Sequence, residues 1–320
     1  MSHSEFEFII APRLEQDVLE YYQRIRFTPI PEGVEYKEHR KSIDQEFKRK
    51  LSGYFTGWRR MMTACMNEHL CFSFWVDKFF QAYCSVLREE QLNLLEVTAH
   101  KTSAFYTEKI LKRLRMLFES TCLSKEMNKQ NERYDKRIEK LRVSYCNTSQ
   151  IYPDAVDLKL ELTLNEVGNE ISDLQQLYRY FLNFQKNLAT AFWYRTQVVY
   201  RFYQIVRDAA QQRYIIHFYL TFNRSLYSDS LGYCNDIRER WLKVTGYMGA
   251  CMCPEENHQH ASLDAEQALQ IDRILQEEAQ CPLGALNKMP ENQTGLYGLP
   301  NRICIYPKTF QWFDGAPVRR

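Results

Sequence analysis

Hydrophobic positions along the chain follow two rhythms, and the change between them falls near Tyr152. Upstream, Phe105, Ile110, Leu111, Leu114, Leu117 and Phe118 recur at steps of three and four, with Lys109, Lys112, Arg113 and Arg115 largely on other sides. That spacing predicts an amphipathic helix with a basic face. Between Gly57 and Pro153 neither glycine nor proline occurs, so the whole stretch is expected to be mostly helical. The run LSKEMNKQNERYDKRIEKLRVSY continues that helix or begins another. Its mixed signs are expected to form i,i+4 pairs on a solvated surface.

Downstream the period becomes two. In IYPDAVDLKLELTLNE, Leu158, Leu160, Leu162 and Leu164 alternate with Asp157, Lys159, Glu161 and Thr163. This is the pattern of a half-buried strand. A helical pattern covers about 171–191, and strands are expected near 155–164, 198–207 and 213–223. The last two, separated by Ala209 to Gln212, read as an antiparallel hairpin. On the second hairpin strand Tyr214, Ile216, Phe218, Leu220 and Phe222 form one face. Arg213, Ile215, His217, Tyr219, Thr221 and Asn223 form the other. SLGYCNDIRERWLKVTG predicts a helix carrying Ile237, Trp241 and Val244. A further helix is expected over Leu263 to Gln280, and NRICIYP offers one more strand in an otherwise loop-like C-terminal stretch.

The order of elements predicts an α+β fold: an antiparallel sheet with helices packed on its apolar face, preceded by a mainly helical region. The expected division is residues 1–150 and residues 151–320. The second face of the sheet is left for function or for the N-terminal helices to cover.

Composition narrows the function classes. A chain of 320 residues with 45% hydrophobic content can bury a sizeable core. Its 42 basic and 40 acidic residues leave a net charge of +2, so attraction to a polyanion has to be local. No apolar run approaches the ~20 residues of a membrane span. Ten cysteines without a regular framework, together with the absence of an N-terminal signal pattern, point to a reduced, cytoplasmic protein with no membrane partner.

His217, on the polar side of its strand, is a metal ligand, a base or a satisfied structural residue. A strand-borne metal site favours histidines at i and i+2, and the residue two before His217 is Ile215. Asp208 and Glu161 are the nearest candidate carboxylate partners, subject to strand register. A separate cluster, CMCPEENHQH, holds Cys251, Cys253, His258 and His260, four ligands suited to a structural zinc ion, although the CxC spacing is shorter than usual. The bland alternative is a loop with incidental cysteines.

Residues Tyr152 to Glu256 resemble the inovirus-type replication initiators (filamentous-phage gene II products) and the related prophage YagK/YfjJ C-terminal domains. YPDAVDLKLELT resembles the family's opening strand, with Lys159 and Glu161 as its basic and acidic pair. YRFYQIVRD and IIHFYLTFNRSLYSDSLG resemble the next two strands, and DIRERWLKVTG and GACMCPEEN follow in the family's order. The resemblance covers about a third of the chain. It implies an HUH-endonuclease-like fold, in which two histidines and a third polar residue hold Mg or Mn against a scissile phosphate that a tyrosine attacks. On that correspondence His217 matches the second histidine and Asp208 the acidic third ligand, while Ile215 replaces the first histidine. GALNK matches the nucleophile helix, with Lys288 kept and Ala285 in place of the tyrosine; Tyr297 and Tyr306 are the substitutes available.

The expectation is therefore a nucleic-acid-binding protein of a phage-related or mobile element that has lost nicking. Single-stranded DNA would lie on the polar sheet face, using Tyr203 and Tyr219 to stack and Arg201, Arg207 and Arg213 to meet phosphates. The alternatives are an active single-strand nickase, and an interaction scaffold that binds another protein of the same element or of antiphage defence.

Overall fold

The computed structural model describes residues 6–66, 70–165, 174–208, 211–224, 230–253, 271, 273–275 and 303–318. The chain divides into two units, one built from Met1–Asn131 with Arg302–Lys308, the other from Glu132–Pro282 with Thr309–Arg320. The protein is α+β, as the alternation of hydrophobic periods predicts.

Helices dominate the first unit. They are α1 (Ala11–Phe27), α2 (Tyr36–Ser52), α3 (Phe55–Met66), α4 (Phe74–Glu90) and α5 (Ser103–Glu119), followed by α6 (Thr121–Ile151), within which the two units divide. Proline at the start of α1 fits because an N–H there has no intrahelical partner. Thr102 caps α5 by accepting from the Phe105 amide at 3.2 Å. The predicted stripe of α5 is buried at Ile110, Leu111, Leu114 and Phe118, where it joins a core containing Tyr21, Phe47, Trp58, Trp75, Phe79 and Tyr83. Each such side chain contributes roughly 1.5–3 kcal/mol when fully buried. Three of the four basic residues on α5 are paired. Lys109 and Arg113 reach Glu89 at 2.7 and 2.6 Å, and Arg115 pairs with Asp44.

One short strand interrupts this helical region. Strand β1 (Leu70–Phe72) pairs antiparallel with β6 (Ile305–Pro307), which is the strand expected in NRICIYP. Helix α6 buries Leu123, Met127, Tyr134, Ile138, Leu141 and Tyr145, at steps of four, seven, four, three and four. The i,i+4 pairs expected along it are not what forms. Among the described residues the ion pair internal to α6 is Arg142–Glu139, an i,i+3 contact at 3.5 Å. Glu126 instead reaches Lys78, and Arg137 lies over the Phe313 ring.

The second unit contains a five-stranded antiparallel sheet of order β5-β2-β4-β3-β7. Its strands are β2 (Val156–Leu164), β3 (Val198–Asp208), β4 (Arg213–Phe222), β5 (Gly249–Met252) and β7 (Phe313–Pro317). The three long strands and the β3–β4 hairpin lie where the period-two pattern puts them. Strands β5 and β7 were not expected, because their four or five residues include glycine and end near proline, too short for an alternation to register. Of the helix expected over Leu263 to Gln280, residues 271 and 273–275 are described, and they are helical.

One face of the sheet packs on α7 (Leu174–Leu188) and α9 (Ser230–Val244), while the short α8 (Phe192–Gln197) leads into β3. Phe181 meets Phe218 at 5.6 Å between ring centroids, and Phe184 meets Trp241 at 5.5 Å. The Trp241 indole donates to the Thr163 carbonyl at 3.1 Å. Gly249 admits that indole: a Cβ at this position would come within 2.4 Å of the Trp241 nitrogen.

Candidate functional site

Strand register decides which polar residues share the second face of the sheet. Across its middle run Met252, Glu161, His217, Gln204 and Phe313. The next row holds Lys159, Tyr219, Phe202 and Gly315; beyond it lie Asp157, Thr221, Tyr200 and Pro317. Residues paired directly across strands point to the same side. An extra residue at Val199 shifts the register so that Tyr200, not Val199, pairs with Thr221.

His217 and Glu161 are brought together as the register option allowed. Glu161 Oε1 lies 3.5 Å from His217 Nε2 and 3.2 Å from Lys159 Nζ. Burial drives the His217 pKa down to about 4, and the Lys159 charge acts in the same direction against the opposing pull of Glu161. The imidazole is thus neutral at physiological pH, and the nearest cation to Glu161 is an ammonium.

Asp208 is not part of this group. It pairs in register with Arg213, 3.7 Å from its guanidinium, and accepts from the Gln211 amide at 3.1 Å. These contacts make it a turn residue of the hairpin. Gln204, not Asp208, stands opposite His217, so Asp208 is four residues along the strand, roughly 13 Å away. A catalytic Mg or Mn wants several convergent oxygen or nitrogen ligands. The residues here do not fit it: one imidazole and one carboxylate converge, with an ammonium beside that carboxylate, and among the described residues no group of three metal-ligating side chains exists.

The nucleic-acid face expected from sequence is corrected by the same register. Arg201, Tyr203 and Arg207 pair with Leu220, Phe218 and Tyr214, which places them on the helix-packed face, opposite to Arg213 and Tyr219. Arg201 donates to Gln185 of α7 at 3.0 Å, and Tyr203 packs edge-on against Phe181 at 4.7 Å. Arg207 and Tyr203 are buried. Tyr219 does lie on the His217 face, yet it is only 4% exposed and packs on Phe202 at 5.8 Å. Burial raises the phenol pKa of Tyr203 and of Tyr219, which disfavours the phenolate nucleophile, and it leaves neither ring a free face on which a base could stack. Arg213 keeps partial exposure beside Asp208.

What covers the second face includes the end of α6. Tyr145 meets Tyr200 at 5.3 Å and donates to Asp157 at 3.1 Å, and Tyr134 meets Phe313 at 5.9 Å. Asp157 also accepts from Thr221 at 2.5 Å. Its carboxyl is pushed up to about 6 by burial, against the pull of those donors. Sequence reasoning placed Asp157 on this face but had no signal for its partner, since nothing in a helix's own pattern tells which sheet residue a buried tyrosine will meet.

Cys251 and Cys253 are both buried, while His258 and His260 lie outside the described residues. Lys288, Ala285 and Tyr297 also lie outside them. Tyr306 is in β6 and donates to the Phe72 carbonyl at 3.0 Å, in the two-stranded sheet of the other unit. Among the described residues no helix is long and apolar enough to cross a membrane.

The fold and site define an α+β protein whose sheet carries a neutral histidine and a lysine converging on one carboxylate. Comparison with protein-family models, with curated proteins and with solved structures finds no match for this chain.

Proposed function

We propose that this is a non-nicking protein of a phage-related or mobile element, built on a replication-initiator-like sheet, that works by binding nucleic acid rather than cutting it. The observation that carries the loss of cleavage is the Lys159–Glu161–His217 group, where an ammonium stands 3.2 Å from the one carboxylate that faces the histidine. A fixed monocation there opposes a divalent ion electrostatically and offers no open coordination position. Nucleic acid as the ligand rests on the resemblance of Tyr152 to Glu256 to the initiators.

Burial of Tyr203, Tyr219 and Arg207 favours a second reading, in which the sheet is only a scaffold for another protein of the element. The test is incubation of the full chain with labelled single-stranded oligonucleotides in Mg or Mn, followed by native electrophoresis for binding and denaturing electrophoresis for cleavage. Intact DNA with no covalent adduct is expected. A tyrosine-linked adduct would show an active nickase, and absence of nucleic-acid binding at low salt would favour the protein scaffold.

A further inference from the structure

The five-residue set Lys125, Lys129, Arg133, Lys136 and Lys140 follows α6 at steps of four, four, three and four. At 100° per residue these positions fall within an arc of about 80°, and they span about 22 Å of helix. All five are exposed, and among the described residues none of them forms an ion pair. The other cations nearby are committed: Arg137 to Phe313, Arg142 to Glu139, and Lys109 and Arg113 to Glu89. Leu123, Met127, Tyr134, Ile138, Leu141 and Tyr145 are buried on the opposite side of the same helix, which fixes the direction in which the basic stripe points. Glu132 borders the stripe; no acid lies within it.

We infer that this stripe binds the phosphate backbone of double-stranded nucleic acid without reading its sequence. A linear array of unpaired cations suits a regular polyanion. Both tyrosines of α6, Tyr134 and Tyr145, are buried on its far side, so the stripe offers no aromatic on which an unpaired base could stack, and a single strand gains nothing over a duplex. A protein partner would want an apolar or aromatic anchor at the centre of its footprint. The stripe's central positions are all cationic. Phosphate contacts position a duplex but carry no base information, hence the absence of sequence preference. The inference extends the proposed function to the helix rather than the sheet, and it stands whether or not the protein nicks.

The experiment is fluorescence anisotropy of the full chain with a random-sequence DNA duplex of about 30 base pairs, the matching RNA duplex and the DNA single strand, from 50 to 200 mM salt. Neutralising five phosphates gives a log–log salt slope of about −4.5, so affinity for a duplex should fall a few hundred-fold across that range. Lys129→Gln/Arg133→Gln/Lys136→Gln should reduce the slope's magnitude by between about 2 and 3. Glu132→Gln should tighten binding, and Lys112→Gln, an exposed cation on α5, should change nothing. Circular dichroism checks that the variants keep their helix. The two duplex arms show whether DNA, RNA or both supply the backbone. No duplex binding at 50 mM salt would overturn the inference, as would a triple variant with an unchanged slope. Tighter binding of the single strand, or of anionic phosphatidylserine vesicles, would overturn the choice of duplex.

Discussion

Glu161 of β2 stands directly opposite His217 of β4, and its Oε1 is shared between His217 Nε2 at 3.5 Å and Lys159 Nζ at 3.2 Å. A single oxygen thus stands between a neutral imidazole and an ammonium. The stability of this group should be most visible where the histidine would otherwise titrate.

The His217 pKa is depressed to about 4 in the folded chain, below the ordinary 6.5. Between those values the unfolded chain binds the proton and the folded chain does not, so stability from this residue falls as pH drops from 6.5 towards 4. Asp157, raised to about 6, acts oppositely: between about 4 and 6 the folded state holds the extra proton and gains stability as pH falls. Thermal melts from pH 7 to 4 should show His217→Gln less acid-labile than the parent and Asp157→Asn more so, by up to about 2–3 kcal/mol each. Parallel pH profiles for the two variants would count against both assignments.

Adding a second imidazole beside His217 should create a metal site. Ile215 lies on the His217 face two residues away, so Lys159→Met combined with Ile215→His removes the ammonium and supplies a second imidazole. Millimolar Mn should raise the Tm of this double variant and leave the parent unchanged. A parent that is stabilised to the same degree would show that the ammonium does not block the site.

Residues on the helix-packed face should affect stability alone. Tyr203→Ala opens a cavity beside Phe181, at a cost of about 3–5 kcal/mol by analogy with other large-to-small aromatic changes. Arg201→Ala loses the contacts with Gln185 and Tyr194, about 1–2 kcal/mol. Urea titrations measure both. Under the proposed function, nucleic-acid affinity of either variant while still folded should equal the parent's, and a loss for folded Arg201→Ala would count against its placement on the helix-packed face.

Gly249→Ala should destabilise the second unit by about 1–3 kcal/mol, because the added methyl displaces the Trp241 indole from its Thr163 partner. Intrinsic fluorescence of Trp241 should shift with it. An unchanged midpoint of denaturation would mean that the indole moves at little cost.

In the first unit, Lys78 is 2% exposed and held by Glu126 at 2.8 Å. Glu126→Gln leaves the ammonium with Asp77 at 3.4 Å and should cost about 1–3 kcal/mol, the exposure of Glu126 reducing the loss expected of a fully buried pair. Lys78→Met should cost much less, since it removes the buried charge as well as its partner. Equal losses in the two variants would contradict this account.

The sequence by itself determined the elements whose signal is local. Leu158 to Leu164 alternate because one side of β2 packs on helices while the other carries polar residues; Ile110 to Phe118 repeat at three and four because one side of α5 is buried. Period is a property of neighbours in the chain, so α+β architecture, the hairpin and the basic face of α5 were legible. Sequence also named Glu161 as a partner for His217 without choosing it over Asp208. That choice belongs to register, which couples residues 56 positions apart and which a one-residue slip would invert. Only the tertiary structure put Arg201, Tyr203 and Arg207 on the face away from Tyr219, because position along β3 fixes a side only after β3 is aligned with β4. Only the tertiary structure laid Tyr145 over Asp157 and left Lys125, Lys129, Arg133, Lys136 and Lys140 of α6 without an ion pair among the described residues, while Lys109, Arg113 and Arg115 of α5 were spent on Glu89 and Asp44. Burial and pairing depend on what arrives from distant parts of the chain, and a pattern of neighbours carries no record of that.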